Sequence, residues 1–279
     1  MPSKLGLRER LHRAATFPLR LLPDFLIIGT ARGGTTSLYR YLAGLPGVGP
    51  AVRKEIHFFD LHFRKGTAVY RCYFPSRLEK FAALRAGAPE FITGEASPYY
   101  LFHPHVPRRV KRVVPRVKLI ALLRNPVERA YSHYHHQVRA GIETLSFKEA
   151  IDREEERLRG EMPRLLADEN YFSFNHQNYS YRTRGIYADQ VETWLSYFPR
   201  EQLLILRSED LFADPDATMR RVTDFLNLSA PPAEQAYRKF NTGRYASIEA
   251  DVKRGLIEYF EPHNQRLYDA LGVNFGWEG

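Results

Sequence analysis

The sequence predicts a single α/β domain with a central parallel β-sheet flanked by helices. Short apolar runs bounded by turn or charged residues recur along the chain, as expected for strands that are buried on both faces. Amphipathic segments of helical length separate these runs, which is the pattern of repeated βαβ units. The 279 residues are 44% hydrophobic, which is enough for one large buried core.

Strands and helices are predicted in alternation. The strands cover residues 25–29, 91–94, 118–124 and 203–207, and the helices cover residues 35–45, 127–140, 187–197 and 217–226. We divide the chain into a basic N-terminal segment, residues 1–22, and the α/β domain, residues 23–279. Because ligands bind at the carboxyl ends of the strands in such sheets, the segments that follow the strands are the expected location of a site.

The charge balance favours an anionic partner. The chain has 41 Lys and Arg against 32 Asp and Glu, a balance compatible with nucleic acid, a membrane surface, a phosphorylated cofactor or an acidic polymer. Residues 105–129 hold eight of the basic side chains and one acidic side chain. We predict that residues 108–116 form a solvated helix face.

Cysteine content and hydropathy predict the compartment. Cys72 is the only cysteine, which fits a reducing environment, and we expect the cytoplasm. No apolar stretch approaches the roughly 18 residues of a membrane span, and basic residues interrupt the apolar part of the N-terminus, so we expect neither a transmembrane segment nor a secretion signal. An alternative role for the N-terminal segment is peripheral contact with an anionic membrane as an amphipathic helix.

A glycine-rich turn after the first strand is the strongest motif. Residues 29–36 read GTARGGTT, and the backbone N–H groups of such a turn, with the N-terminus of the next helix, form a cradle for an anion. The lysine of a Walker A loop is replaced by Thr35, and the cation lies three positions earlier, at Arg32. The sequence therefore predicts a P-loop-like phosphate site that differs from that of NTPases.

A second motif follows the predicted strand 118–124. Arg124 ends this strand, Asn125 can cap the next helix, and Pro126 suits the first helical position. Ser132 lies in the second turn of that helix. An arginine at a strand end and a nearby hydroxyl can hold a second phosphate by charge-assisted hydrogen bonds.

Five stretches together resemble a known family. They are GTARGGTTS, KEIHFFD (54–60), GEASPYY (94–100), LLRNPVERAYSHY and GIYADQVETWL (185–195). In this order the chain resembles the sulfotransferases that use 3′-phosphoadenosine 5′-phosphosulfate (PAPS), above all the heparan-sulfate type and its bacterial relatives. The resemblance extends from about residue 25 to residue 277, and it includes FNTGRYAS (240–247) and the closing NFGW.

The resemblance implies a set of residues that bind the nucleotide. The loop that surrounds the 5′-phosphosulfate would comprise Arg32, Gly33, Gly34, Thr35, Thr36 and Ser37. The 3′-phosphate would be held by Arg124 and Ser132, with Tyr187 also at the nucleotide site. A loop that closes over the nucleotide would contain Gly243, Arg244 and Tyr245.

The stretch KEIHFFD provides the expected base. In an extended segment, Glu55 and His57 share one face, so a carboxylate and an imidazole lie side by side. A carboxylate whose pKa is raised by burial is suited to accept the proton of an attacking hydroxyl. The resemblance implies that Glu55 is this base, that His57 and Asp60 orient it or the acceptor, and that Arg32 stabilises the leaving group.

The expected reaction is transfer of a sulfuryl group from PAPS to a hydroxyl or amine of a glycan, glycolipid or small metabolite, leaving adenosine 3′,5′-bisphosphate. No metal ion and no nucleic-acid partner are expected. The family usually has lysine where this chain has Arg32, and the heparan-sulfate enzymes have a second lysine where this chain has Ala96, so the acceptor stays open. The alternatives are a P-loop-type nucleotide kinase and a non-enzymatic basic protein that binds nucleic acid.

Overall fold

A five-stranded parallel sheet forms the centre of the protein. The computed structural model describes residues 6–230, 237–238, 240 and 246–278. The strand order is β2-β3-β1-β4-β5, and every neighbouring pair is parallel. The strands are β1 (Phe25–Gly29), β2 (Val48–Pro50), β3 (Ile92–Ala96), β4 (Lys118–Leu123) and β5 (Leu203–Arg207). The predicted α/β class with a central parallel sheet is confirmed.

Helices follow every strand. Their bounds in the described part of the chain are α1 (Leu7–Ala15), α2 (Thr35–Ala43), α3 (Phe58–Leu61), α4 (Gly66–Arg71), α5 (Arg77–Arg85), α6 (Val106–Val113), α7 (Pro126–Arg139), α8 (Phe147–Asp152), α9 (Glu154–Leu158), α10 (Glu161–Ala167), α11 (Phe174–Asn178), α12 (Tyr187–Leu195), α13 (Ser208–Ala213), α14 (Pro215–Leu226) and α15 (Ala250–Leu271). Short 3-10 turns lie at Phe17–Leu19, Phe63–Lys65, Thr183–Gly185 and Arg200–Gln202.

The predicted elements all exist, with ends that differ from the prediction by at most two residues. Strand β4 ends at Leu123, so Arg124 directly follows the strand instead of ending it. The third strand begins at Ile92 and ends at Ala96, two residues later than predicted, so that Glu95 belongs to it. The edge strand β2 is absent from the sequence prediction. Its three residues, Val-Gly-Pro, include two types that are poor in strand interiors and are tolerated at a sheet edge.

Both faces of the sheet are covered. Along β1, Leu26 and Ile28 point into the core on the side of α6, α12 and α15. The alternate residues Phe25 and Ile27 point into the core on the side of α2 and α14. This double burial explains why the strands read as continuous apolar runs. Trp277, close to the end of the chain, packs in the first of these cores.

The basic run at α6 is not uniformly solvated. Arg109 is 3% exposed, and its Nη1 donates to the carbonyl oxygens of Phe59 (2.7 Å) and Asp60 (3.2 Å). The prediction of a solvated helix face over residues 108–116 is therefore wrong at this position. The inward face of α6 meets the carbonyl groups of α3, and the N–H donors of the Arg109 guanidinium satisfy two of these carbonyls.

Candidate functional site

The glycine-rich loop between β1 and α2 packs closely against the backbone of β4. A Cβ on Gly33 would lie 2.5 Å from the carbonyl oxygen of Leu122, so any larger residue would push the loop off β4. Gly34 has a φ of 92° and directly precedes α2, and side chains disfavour that conformation. The loop therefore brings backbone close to any group bound at the N-terminus of α2, where the helix dipole favours an anion.

Four of the predicted nucleotide-binding residues are joined by hydrogen bonds. The Nε of Arg32 donates to the Oγ of Ser132 (3.1 Å), and Nη1 of Arg124 donates to the carbonyl oxygen of Arg32 (3.3 Å). The hydroxyl of Tyr187 donates to the carbonyl oxygen of Arg124 (2.8 Å). Two guanidinium groups from different loops are thus brought to one site, at the ends of neighbouring strands.

The helix that carries Ser132 begins as the sequence predicts. The Oδ1 of Asn125 accepts from the backbone N–H groups of Val127 (3.0 Å) and Glu128 (3.3 Å). Pro126 occupies the first helical position of α7, where its missing N–H has no cost. This cap fixes the direction in which the chain leaves Arg124. It thereby sets the position of Ser132 relative to that arginine.

A cleft of about 1200 Å³ opens at the carboxyl edge of the sheet. Its lining includes these predicted site residues: Arg32, Gly34, Thr35, Thr36, Glu55, His57, Arg124 and Ser132. Two other predicted residues, Ser37 and Tyr187, are buried behind this lining. The Oγ of Ser37 accepts from the N–H of Phe240. The predicted closing loop with Gly243, Arg244 and Tyr245 lies outside the described residues.

The backbone at Glu55 and His57 differs from the prediction. The segment is not extended, because Glu55 and His57 have φ values of 58° and 54°. The side chains still meet: Nε2 of His57 is 3.9 Å from Oε2 of Glu55, and Nδ1 of His57 is 2.7 Å from Oδ2 of Asp60. Tertiary hydrogen bonds override the extended geometry, since the Glu55 N–H donates to the Ala96 carbonyl (3.0 Å).

The protonation of this group also differs from the prediction. Burial alone would raise the pKa of Glu55, but the neighbouring His57 and Lys54 outweigh it and lower that pKa to about 2. Burial alone would lower the pKa of His57, but Asp60 and Glu55 outweigh it and raise that pKa to about 10. The expected upward shift at Glu55 is therefore wrong. At neutral pH the site holds an ionised Glu55 beside an imidazolium.

The sequence analysis did not identify Glu95, which is connected to His57 of the site through Ser97. Its fully buried carboxylate accepts from the hydroxyls of Tyr70 and Tyr100 (both 2.8 Å) and from Oγ of Ser97 (2.7 Å). Ser97 in turn accepts from the N–H of His57 (3.2 Å). The signal that could have revealed it is a lone glutamate inside an otherwise small and apolar strand, because a buried carboxylate requires donors.

The far wall of the cleft is polar and includes histidines that the sequence analysis did not assign. His133 is 3% exposed, and burial lowers its pKa well below the usual value. Burial, followed by the charge of Arg32, also lowers the pKa of His136. Both imidazoles are therefore neutral at pH 7. In the described ranges, no group of three or more His, Cys, Asp or Glu side chains has the arrangement of metal ligands.

The fold and the cleft define an α/β protein with a glycine-rich phosphate loop that faces an ionised carboxylate. The family comparison specifies the class: residues 22–244 match the model of the Sulfotransferase domain family, and the chain belongs to that family. The resemblance inferred from the motifs is confirmed. The nucleotide kinase and the nucleic-acid-binding protein are not favoured by this membership.

Individual relatives agree with the family. The chain is 31% identical over 281 residues to "Heparan sulfate glucosamine 3-O-sulfotransferase 3A1" of Mus musculus, covering 92% of this chain and 65% of that protein. It is 26% identical to "Membrane-associated sulfotransferase kil1" of Dictyostelium discoideum, covering 93% of this chain and 67% of that protein. The chain thus spans about two thirds of the length of these relatives.

A solved structure matches most of the chain. The sulfotransferase from Alicyclobacillus acidocaldarius is 31% identical and has a TM-score of 0.71, with coverage of 93% of this chain and 100% of that one. The family resemblance therefore extends to the three-dimensional fold. In the parts of the chain that the structure describes, no helix combines the length and the apolar character needed to cross a membrane.

The unusual protonation state of His57 is directly measurable. Its pKa lies above the usual 6.5, so the stabilisation from its ion pairs is complete below about pH 6.5 and is lost as the pH rises through about 10. We expect the NMR signals of this imidazole to titrate near pH 10 in the native protein. In Asp60→Asn, which removes the partner of Nδ1, the midpoint should fall by at least about two pH units.

A His57 signal that titrates near pH 6.5 in the native protein would contradict the assignment of an imidazolium to the site.

The buried Glu95 carboxylate is expected to contribute to stability through its three donors. Glu95→Ala leaves the hydroxyls of Tyr70, Ser97 and Tyr100 without this acceptor, and should lower the free energy of unfolding by about 2–4 kcal/mol. Glu95→Gln keeps an acceptor oxygen and should cost about 1 kcal/mol. Urea denaturation measures both, with the exposed Glu155→Ala as the matched control. An alanine variant as stable as the native protein would exclude this role.

Proposed function

We propose that the chain transfers a sulfuryl group from PAPS to a hydroxyl or amine of a sugar-containing acceptor. One observation carries the proposal: Arg32 and Arg124 line the same cleft as the ionised Glu55. Cations that can hold a phosphorylated donor and a base that can receive a proton are therefore present together. Membership of the sulfotransferase family supports this assignment, and the names of the relatives support a glycan as the acceptor.

The residues present fit a nucleotide with two anionic groups. Backbone of Gly34, Thr35 and Thr36, which line the cleft at the start of α2, can approach one anion closely. The second anion would be held by Arg124 and Ser132, on the far side of the Arg32 side chain that hydrogen-bonds to Ser132. PAPS has this pair of groups, a 5′-phosphosulfate and a 3′-phosphate. The product adenosine 3′,5′-bisphosphate retains both phosphates, so it should bind the same residues.

Glu55 is the group that can accept a proton. PAPS supplies the activated sulfuryl group, and the acceptor oxygen or nitrogen must lose a proton as its bond to sulfur forms. Glu55 is ionised at neutral pH, whereas His57 is already protonated and has no vacant nitrogen for a proton. His57 therefore acts through its positive charge, with Nε2 3.9 Å from Oε2 of Glu55, and Asp60 holds the imidazolium through Nδ1.

Arg32 acts by charge and hydrogen bonding alone. A guanidinium stays protonated throughout the working range, so it cannot donate a proton to the departing phosphate as a lysine can. It can instead stabilise the negative charge that develops there. Its Nε is held by Ser132 (3.1 Å), which orients the guanidinium group before the donor binds. Catalysis of this kind requires no metal ion.

The acceptor is a sugar hydroxyl or amine, and we do not extend the proposal to heparan sulfate itself. Ala96, which stands where the heparan-sulfate enzymes have a lysine, is fully buried at the end of β3. No cation from that position can contact a polyanionic chain. We therefore expect binding of the acceptor to depend less on negative charges of the acceptor than binding of heparan sulfate would.

We also propose the cytoplasm as the compartment and residues 23–279 as the catalytic domain. The only cysteine, Cys72, is a free thiol, which supports a reducing environment. Residues that follow the family match pack into the main core, among them Leu267, Phe275 and Trp277. This packing supports a domain that continues to the C-terminal end of the described chain.

Titration calorimetry tests the nucleotide assignment. The native protein should bind one adenosine 3′,5′-bisphosphate, and it should bind ATP and duplex DNA at least about tenfold more weakly, because neither presents an isolated 3′-phosphate to Arg124. Arg124→Ala should weaken the bisphosphate by about 2–4 kcal/mol, while the exposed Arg116→Ala should change its affinity less than about twofold. Equal binding by the Arg124→Ala protein would contradict the assignment.

Steady-state kinetics test the role of Glu55. Glu55→Gln keeps the shape of the side chain and removes its basicity, so kcat should fall by about 10²–10⁴ with little change in nucleotide affinity. The control is Glu155→Gln, which removes an exposed carboxylate outside the cleft and should leave kcat within about threefold. An unchanged kcat in Glu55→Gln, with chemistry limiting turnover, would assign proton transfer to another group.

A further inference from the structure

Two helices in the first third of the chain, α1 and α5, expose their apolar side chains to solvent. Helix α1 has no buried residue, and Leu7 and Leu11, one turn apart, are 73% and 62% exposed. Helix α5 has no buried residue either. Its side chains Leu78, Phe81 and Leu84 are 68%, 59% and 40% exposed. Because i and i+3 positions share a helix face, these three form an apolar stripe that faces solvent.

The two helices belong to one region of the surface. The Nη1 of Arg13, in α1, donates to the carbonyl oxygens of Cys72 (3.2 Å) and Phe74 (3.3 Å), which lie between α4 and α5. The segment after α1 pairs with the residue that caps α5, through the bridge between Arg20 and Ser76. Exposed Phe17, Leu19 and Val69 lie on the connecting elements. We call residues 7–22 and 64–85 the basic apolar face.

The excess positive charge of the chain is concentrated in the same region. Residues 7–22 and 64–85 contain ten Lys and Arg and two Glu, a net charge of +8 out of the chain's formal +9. Arg20 is buried, and the other nine cations are half-buried or exposed. The remaining residues carry a net charge of only +1. In a uniformly basic protein the excess positive charge would be spread over the whole surface. Here the positive charge lies beside eight exposed large apolar side chains, a combination that lowers solubility and therefore indicates a binding surface.

The combination fits the interface of an anionic bilayer. Leucine and phenylalanine side chains enter the boundary between headgroups and acyl chains, and arginines beside them contact the anionic headgroups. The pairing is visible at Phe81, whose ring centroid is 5.2 Å from the guanidinium carbon of Arg85. An acidic protein would use the charges but leave the apolar stripe unexplained, and a second copy of the same basic face would be repelled by it.

We propose that the basic apolar face binds the surface of a membrane that contains anionic lipids. The cleft stays accessible in this arrangement. Helix α1 leads to the amino end of β1 and α5 leads to the amino end of β3, whereas the cleft lies at the carboxyl ends. The proposal is therefore independent of the proposed sulfuryl transfer. Either of the two can fail while the other holds.

Vesicle co-sedimentation tests the proposal. The full chain should bind phosphatidylcholine vesicles that contain about 30% phosphatidylserine, and should bind pure phosphatidylcholine vesicles at least about tenfold more weakly. The double variant Leu78→Ser/Phe81→Ser should lose at least about tenfold in affinity for the anionic vesicles. The matched control is Leu166→Ser/Phe172→Ser, at side chains that are 59% and 52% exposed elsewhere on the surface. It should bind like the native protein.

Charge reversal tests the electrostatic part. Arg77→Glu/Arg85→Glu should abolish the preference for anionic vesicles, and rising salt should weaken native binding. Thermal unfolding and binding of adenosine 3′,5′-bisphosphate should be unchanged in all variants, which separates lost membrane binding from misfolding. The proposal is overturned if the native chain ignores anionic vesicles or if the Leu78→Ser/Phe81→Ser protein binds them normally. It is also overturned if the face joins two copies, seen as a native dimer that this variant dissociates.

Discussion

The geometry of the site depends on the hydrogen bonds that the fully buried carboxylate of Glu95 accepts. This carboxylate anchors the hydroxyl of Tyr100, and that hydroxyl accepts from the N–H groups of Phe58 (2.9 Å) and Phe59 (3.3 Å) at the start of α3. The turn before α3 contains Glu55 and His57 in left-handed conformations, each of which costs of order 1 kcal/mol or more. Such a turn persists only because buried hydrogen bonds determine it at several points.

The sheet order explains why the parts of the site meet. Strands β3, β1 and β4 are adjacent, and the site segments leave from their carboxyl ends: Ser97 from β3, the glycine-rich loop from β1 and Arg124 from β4. Parallel strands place these ends at one edge. The distance along the chain between Arg32 and Ser132, a hundred residues, therefore becomes a 3.1 Å hydrogen bond. The same topology also packs the glycine-rich loop tightly against β4. The carbonyl oxygen of Leu122 in β4 leaves no room for a side chain at Gly33.

The sequence was sufficient for the features that local chemistry determines. The βαβ alternation, the glycine-rich loop and the Asn125 cap all depend on residues that are close in the chain, and all are present. The errors occur where distant residues decide. The turn at Glu55 follows from Ala96 and Ser97, and the buried Arg109 follows from the carbonyls of α3. No periodicity in either segment carries that information, and the proton affinity of Glu55 depends on the same tertiary contacts.

The charges around the base have a consequence for the reaction. Lys54 and His57 hold the pKa of Glu55 at about 2, which keeps the carboxylate ionised and also makes it a weak base. Lys54 contacts Oε1 of Glu55 and His57 faces Oε2. An acceptor hydroxyl that donates to Oε1 would compete with Lys54 for that oxygen. Losing the contact with Lys54 would raise the pKa of Glu55 as the acceptor binds, so the proton affinity of the base increases at the step that uses it.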